Sequence, residues 1–389
     1  MRTMNYPYEI RLAIDRLESA GYEAYLVGGA LRDLLLAREV NDFDITTSAT
    51  PSEMKEIFSN EHTIETGMRH GTLTVLIGQM PIEITTFRID GDYLDARHPQ
   101  SVSFTRNLAE DLARRDFTVN AMAYSEKTGL VDLYGGKADL EKQVIRAVGD
   151  PRVRFSEDAL RILRAFRFCS KLGFEIERET LEAISACRGG LSMVSAERIA
   201  KELEGILVGR NACAALSLMQ ESGVLSLVLP EAALDQRLFA LSAQFELRLA
   251  FLLLGTDMER LSARLHALKL SNAQILAVKS LVSLAADGLP MAQAPKVRRL
   301  MARAGELFEP LMEVLRVKGE DVSKIEKIAA ECRNRGDCLT AKALAINGAD
   351  LVALGKKGKA VGDLLEVLLE KVLDEPSLNT REVLLSLVE

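Results

Sequence analysis

Asp42 and Asp44 flank Phe43 in the run D-F-D-I-T-T, and a strand there would put both carboxylates on one face. Two like charges that close are costly unless a cation joins them. Two divalent ions about 4 Å apart, clamped by carboxylates, are the usual apparatus for in-line phosphoryl transfer. The same pair at a bare strand end would be only a solvated acidic edge, so other residues must decide. Upstream, Gly28-Gly29 close a strand-like run and open A-L-R-D-L-L-L-A, which reads as a helix. Strand, glycine turn and helix start present free backbone N–H groups to an anion, and the missing side chains let a phosphate approach closely. Arg32 could add a guanidinium to a triphosphate, with Asp33 bracing it. A third carboxylate, Glu83, alternates with Ile82 and Ile84 and would join the pair only if its strand lies beside theirs.

The elements that must hold these residues fall into two regimes. Over the first 135 or so residues, short β-like runs (E-A-Y-L-V, D-F-D-I-T-T, G-T-L-T-V-L-I-G, P-I-E-I-T-T-F-R-I, N-A-M-A-Y-S, G-L-V-D-L-Y) mix with a few helices. Y-E-I-R-L-A-I-D-R-L-E-S-A has helical spacing and stops at Gly21, and a second helix opens at Pro51. The expectation is a small, largely antiparallel sheet with helices. From about residue 138 the periodicity becomes that of almost continuous helix, as in S-E-D-A-L-R-I-L-R-A-F-R-F-C-S-K-L-G and S-A-E-R-I-A-K-E-L-E-G-I-L. The fold class is therefore α+β: a mixed head followed by an all-helical remainder.

Composition narrows the chemistry. The chain has 389 residues, enough for two or more cores, and carries a formal net charge of -7, so any nucleic-acid contact must be local. Four histidines, at 62, 70, 98 and 266, form no zinc spacing, and Trp is absent, which disfavours a general single-strand binder. Five cysteines without a close pair suit a reduced cytoplasm. No uncharged apolar stretch of membrane-spanning length and no signal peptide is expected, so no membrane partner is read. Basic clusters occur at Arg152, Arg154, Arg161, Arg164 and Arg167, at Lys296 to Ala304, and at Gly355 to Lys359. Each is either a solvated face or a phosphate contact.

Taken in order and spacing, G-G-A-L-R-D…D-F-D-I-T-T-S-A-T-P, F-R-I-D-G-D-Y-L-D-A-R-H-P-Q-S-V-S-F, R-R-D-F-T-V-N-A-M-A-Y and R-F-S-E-D-A-L-R-I-L-R-A-F-R-F resemble the class II tRNA nucleotidyltransferases, the CCA-adding enzymes of the polymerase-beta-like superfamily. The resemblance covers the first 200 residues most strongly and implies a nucleotidyltransferase head over 1–138, a base-selecting neck over 139–208, a body over 209–318 and a tRNA-binding tail over 319–389. It implies Mg²⁺ held by Asp42 and Asp44, CTP and ATP as substrates, and the 3′ end of tRNA as partner. Gly28, Gly29 and Arg32 would then face the triphosphate, and Arg114, Arg115, Asp116 and Asn120 the phosphates and ribose. Asp158 and Arg161, oriented by Glu157 and with Arg164 nearby, would read the base. An acceptor for an exocyclic amino group beside a guanidinium donor suits C and A, whereas neither G nor U offers matching edges. On spacing alone, Ser156 is an N-cap, Glu157 and Asp158 fill a first helical turn, and Glu157–Arg161 is an ordinary i,i+4 pair. The family's flexible loop corresponds to D-G-D-Y-L-D-A-R-H-P-Q-S-V, with Asp95 and Arg97, and has His98 where arginine is frequent. Addition of CCA, addition of the terminal A alone, poly(A) synthesis and a non-catalytic RNA-binding relative stay open at this point.

Overall fold

The apolar run A-Y-L-V forms β1 (Ala24–Val27), wholly buried near the middle of a seven-stranded sheet. A strand covered on both faces needs no polar alternation, which is why this run is continuously apolar. The computed structural model describes residues 4–40, 42–90 and 102–388. Ahead of β1, α1 (Tyr8–Ser19) turns Ile10, Ala13, Ile14 and Leu17 inward at helical spacing. The strand then passes directly into α2 (Gly28–Leu35), a turn that Gly28 permits with φ +68°.

Next come β2 (Asp44–Thr47) and α3 (Pro51–Ile57), whose start is fixed by a capping box between Thr50 and Glu53. The strands β3 (His62–Ile64), β4 (Thr72–Ile77) and β5 (Met80–Thr86) follow. A separate ribbon pairs β6 (Arg88–Asp90) with β7 (Val102–Phe104). After α4 (Leu108–Ala113), β8 (Ala123–Ser125) and β9 (Gly129–Val131) complete the sheet, and α5 (Gly136–Lys142) leaves it. The order is β3-β4-β5-β2-β1-β8-β9. Only β2–β5 is parallel, so the sheet is largely antiparallel as expected. That parallel register sets Asp44 directly opposite Glu83.

One expectation about this strand needs correcting. β2 begins at Asp44, and Asp42 lies on the approach to it. The ladder to β1 starts with Val27 opposite Asp44, and beyond Val27 the partner strand has already turned into α2. Residues before Asp44 therefore lose β1 as a partner, and the ladder to β5 also starts only at Asp44, although β5 itself begins at Met80.

Contacts divide the chain into two compact units, Met1–Pro230 and Glu231–Glu389. Within the first, β10 (Val144–Ile145) and β11 (Glu175–Ile176) form a short parallel pair around α6 (Pro151–Glu157) and α7 (Leu160–Leu172). α8 (Arg178–Cys187), α9 (Ala196–Leu207) and α10 (Ala212–Glu221) follow, with α9 and α10 packed on α7. The single helix expected from S-E-D-A-L-R is two. Ser156 sits in the last turn of α6 and caps nothing, and Asp158 is extended (φ −141°, ψ 101°) between the helices. Its Oδ1 accepts a bond from the Leu160 N–H at 3.0 Å, the kind of side chain–backbone bond that competes with helix continuation. Asp158 thus stands off both helices.

The second unit is helical among its described residues, around a core that includes Leu351, Leu368, Val372 and Leu384. The basic run at Lys296–Ala304, read from the sequence as a solvated face or a phosphate contact, is mostly structural. Arg298 is 4% exposed and binds the Leu373 and Asp374 carbonyls and the Asp337 carboxylate, while Arg299 pairs with Glu370 and Asp374. An arginine on an apolar helix face ties two segments by filling carbonyl acceptors.

At the head's lower edge, Gly136 packs so closely on the turn carrying Asn120 that a Cβ would run into the Thr118 carbonyl and the Met122 side chain. Gly136→Ala should destabilise the protein by about 1–3 kcal/mol through overpacking. An unchanged thermal unfolding midpoint would contradict this close approach.

Candidate active site

A cavity of about 580 Å³ opens in the first unit, lined from the sheet side by Gly28, Gly29, Arg32, Asp44, Arg114, Arg115, Asp116 and Asn120. From α6–α9 it is lined by Asp158, Arg161, Arg164, Arg167, Phe168, Lys171 and Arg198. Most residues singled out in the sequence therefore meet in one place. Asp42 borders an adjoining cavity of about 380 Å³ that shares Gly29, Arg32, Asp44 and Lys171 with the first. Glu157 stands behind the lining, and the loop with Asp95, Arg97 and His98 lies outside the described residues.

At the floor, Asp44 emerges from β2 with Glu83 beside it across the parallel ladder. Desolvation and then the Glu83 carboxylate push the Asp44 carboxyl up, Asp42 adds to this, and Arg115 partly counters it. A group so placed gains from a bound cation, which would reverse that penalty. Among the described residues no group of three or more His, Cys, Asp or Glu side chains gathers closely enough to hold a metal ion alone. A carboxylate pair fits an ion that takes its remaining ligands from phosphates and water, the usual habit of Mg²⁺.

Gly28 and Gly29 open α2 immediately above. A Cβ on Gly28 would lie 3.4 Å from an Arg115 nitrogen and 3.5 Å from an Asp44 oxygen, so the absent side chain keeps space between cation and acid. Arg32 is buried, and Asp33 braces it as expected through two bonds of 2.9 Å. Its third bond, 2.7 Å to Asn120 Oδ1, reaches 88 residues along the chain.

The R-R-D run does not pair internally. Arg114 and Arg115 both turn back to Asp111, three and four residues earlier on α4, at 2.7 and 3.1 Å. Asp111 is fully buried and also accepts from Thr46. Burial pushes its carboxyl up, yet the two guanidiniums outweigh that and hold it below the usual range. This positioning acid was missed, although its i,i+3 and i,i+4 spacing is visible in L-A-E-D-L-A-R-R. Asp116 instead faces Arg164 of α7 at 2.8 and 2.6 Å, and also accepts from Asn120 and the Phe117 N–H. Burial raises its carboxyl, but Arg164 and these donors together bring it down to about 2.

At the far end, Arg161 is buried and its Nη1 binds Glu157 at 2.6 Å, so the expected pair forms even across the helix break. Its guanidinium also donates to the Arg154 and Arg114 carbonyls, tying α6 and the end of α4 to α7. Asp158 does not pair with Arg161. It faces Arg198 of α9 at 2.7 Å. Arg32, Arg164 and Arg167 surround the Phe168 ring at 5.3, 5.4 and 4.4 Å from its centroid, and a ring face attracts cations at such distances. Arg198, Arg167, Lys171 and Phe168 thus belong to the lining, of which only Arg167 had been noted, as part of a basic cluster.

Three family descriptions match successive segments: "Poly A polymerase head domain" over residues 24–146, the RNA- and SrmB-binding site of polymerase A over 173–235, and tRNA nucleotidyltransferase domain 2 over 244–388. A CCA-adding enzyme of Limosilactobacillus fermentum is 37% identical over 96% of this chain and 94% of its own length. One from Streptococcus suis is 36% identical over 100% and 98%. Among solved structures, the Bacillus stearothermophilus CCA-adding enzyme in complex with CTP is similar over 98% of this chain and 96% of that one, with TM-score 0.82 and 34% identity.

The Asp116–Arg164 pair yields a pH prediction. A depressed folded value means its stabilising contribution is present above the ordinary value of 3.8 and is lost as pH falls toward 2. Asp116→Asn should cost on the order of 2 kcal/mol at neutral pH, with the gap to wild type shrinking below pH 4 in urea unfolding. A gap independent of pH would contradict the charged pair.

Proposed function

The chain belongs to the CCA-adding enzymes, a family of tRNA nucleotidyltransferases, and from that premise we propose which of its residues carry the reaction. It adds CMP, CMP and AMP to the 3′ end of tRNA from CTP and ATP and releases pyrophosphate. In each step the terminal 3′-hydroxyl oxygen bonds the α-phosphorus, the bond to the β-phosphate oxygen breaks, and no nucleic-acid template directs the base.

One observation supports the residue assignments above all. Asp44, the Gly28-Gly29 turn and the Asp158–Arg161 region line a single cavity of nucleotide size, with arginines between the two ends. In this reading the Gly28 and Gly29 backbone, Arg32, Arg114 and Arg115 receive the triphosphate, since a helix start and guanidinium forks both suit phosphate oxygens. Asp42 and Asp44 hold Mg²⁺, and Glu83 reinforces the negative field. Bound there, the ion would activate the attacking hydroxyl and offset charge on the phosphates.

Asp116 and Asn120 face the ribose. The four acceptor positions of Asp116 are already filled by Phe117, Asn120 and Arg164, so a ribose hydroxyl must displace Asn120 or one prong of Arg164. That exchange gives a direct physical link between sugar binding and the Arg164 position.

The base meets Asp158 and Arg161. Three of the five Arg161 donors are committed to Arg154, Glu157 and Arg114, which leaves Nε–H and one Nη2–H for a ring nitrogen or carbonyl. Each Asp158 oxygen has one protein partner and keeps an acceptor position for the amino group of C or A. The head over 1–138 then supplies transfer chemistry and the neck over 139–208 base choice, and the body and tail over 209–318 and 319–389 carry the tRNA. No described helix is long and apolar enough to cross a membrane, and the five free thiols suit the reducing cytoplasm.

On tRNAs ending before CCA, after C and after CC, the protein should take CTP on the first two and ATP on the third. ATP uptake after CC alone, or long poly(A) on arbitrary RNA, would contradict the triplet activity. Asp42→Ala and Asp44→Ala should each abolish incorporation while tRNA affinity stays near wild type. Normal turnover in either variant would overturn the metal assignment.

A further inference from the structure

We infer that Arg198 is a positioning residue for base selection, acting through Asp158; the inference rests on the reading of Asp158 as the acceptor for the base amino group. Three observations on different elements carry it.

The first is that Asp158 has left the helix. Extended between α6 and α7, its side chain takes no direction from helical packing and is fixed only by what it bonds. The Leu160 N–H holds one oxygen at 3.0 Å and Arg198 Nη2 holds the other at 2.7 Å. With Arg198 removed, the carboxylate keeps a single anchor and can rotate about its Cα–Cβ bond away from the cavity.

The second is that this ion pair is not at its own optimum. An arginine and a carboxylate left to themselves form a two-pronged fork. Here only Nη2 engages, while Arg198 Nη1 is out of water with no hydrogen-bond partner among the described residues. The geometry serves the orientation of Asp158 rather than the fullest pairing of Arg198.

The third is position. Arg198 lies in the first turn of α9, where the helix dipole disfavours a cation. A residue that violates a local rule and lines the cavity marks a functional constraint. Neighbouring cations in α7 answer to other acids, Arg164 to Asp116 and Arg167 to Glu202, so neither is available to substitute for it.

The physical consequence is specific. An ionised carboxylate with both oxygens anchored offers one fixed lone pair to an amino donor and repels the carbonyl that uracil presents at the same place. Loosened, it tolerates either edge.

The test measures single-nucleotide incorporation from CTP and from UTP on full-length tRNA ending before CCA. It compares wild type, Arg198→Met, Arg198→Lys, Asp158→Ala and the Asp158→Ala/Arg198→Met double variant, each checked for wild-type-like thermal unfolding. Arg198→Met should raise the UTP-to-CTP ratio by about tenfold, chiefly by raising KM for CTP, as expected for losing one charged hydrogen bond. Arg198→Lys, which keeps a point charge, should fall between Met and wild type. The double variant should be no less selective than Asp158→Ala, because the two residues act as a unit. A wild-type ratio in Arg198→Met, or relaxation that adds to that of Asp158→Ala, would overturn the inference while leaving Asp158 as reader. An unchanged ratio in Asp158→Ala would instead remove the base-reading assignment on which the inference stands.

Discussion

Besides Arg88, seven guanidiniums line one cavity, and like charges in a confined space repel unless they are held by acids. The structure meets this with dedicated carboxylates: Asp33 for Arg32, Asp111 for Arg114 and Arg115, Glu157 for Arg161, Asp116 for Arg164, Glu202 for Arg167 and Asp158 for Arg198. Removing one acid would leave a partly buried cation uncompensated, a loss on the order of 2 kcal/mol for Asp116. The cations are thereby aimed before any ligand arrives. A polyanion entering such a site reorganises little, the condition under which fixed charges do most for binding and reaction.

The same pairs also join the sheet to the helices of the first unit. Asp116 on the sheet side meets Arg164 on α7, Arg161 reaches the Arg114 carbonyl, and Arg154 reaches that of Ala113. Backbone bonds from Thr118 to Arg146 and from Val148 to Asp116 run alongside. In the proposed assignment, phosphate-facing and base-facing groups therefore share partners. A shift of α7 relative to the sheet would then disturb ribose, triphosphate and base contacts together, which would couple nucleotide choice to transfer chemistry.

Much of this was legible in the residues. The glycine turn into a helix, the acids around Phe43, the antiparallel sheet and the change to helix near residue 138 follow from local patterning, and local patterning is what a sequence displays. Partner choice was not. Arg114, Arg115 and Asp116 are neighbours in the chain, but the arginines turn to Asp111 and the acid to Arg164, 48 residues on. The break after Glu157 was hidden because helical periodicity continues through it, and one side chain–backbone bond at Asp158 decides the outcome. Asp42 fell outside its strand where β1 turns into α2 and the ladder stops at Asp44, a fact of pairing that no local pattern displays. Arg298 had the look of a basic surface, and only tertiary packing makes it a buried tie.

The central claim is that protein side chains at the cavity's far end, and no nucleic-acid template, choose the nucleotide. The most direct measurement is the ratio of UTP to CTP incorporated by Arg161→Ala on tRNA ending before CCA. The account predicts a rise of about tenfold or more over wild type, the size expected when a hydrogen-bonding reader is lost. An unchanged ratio would contradict it.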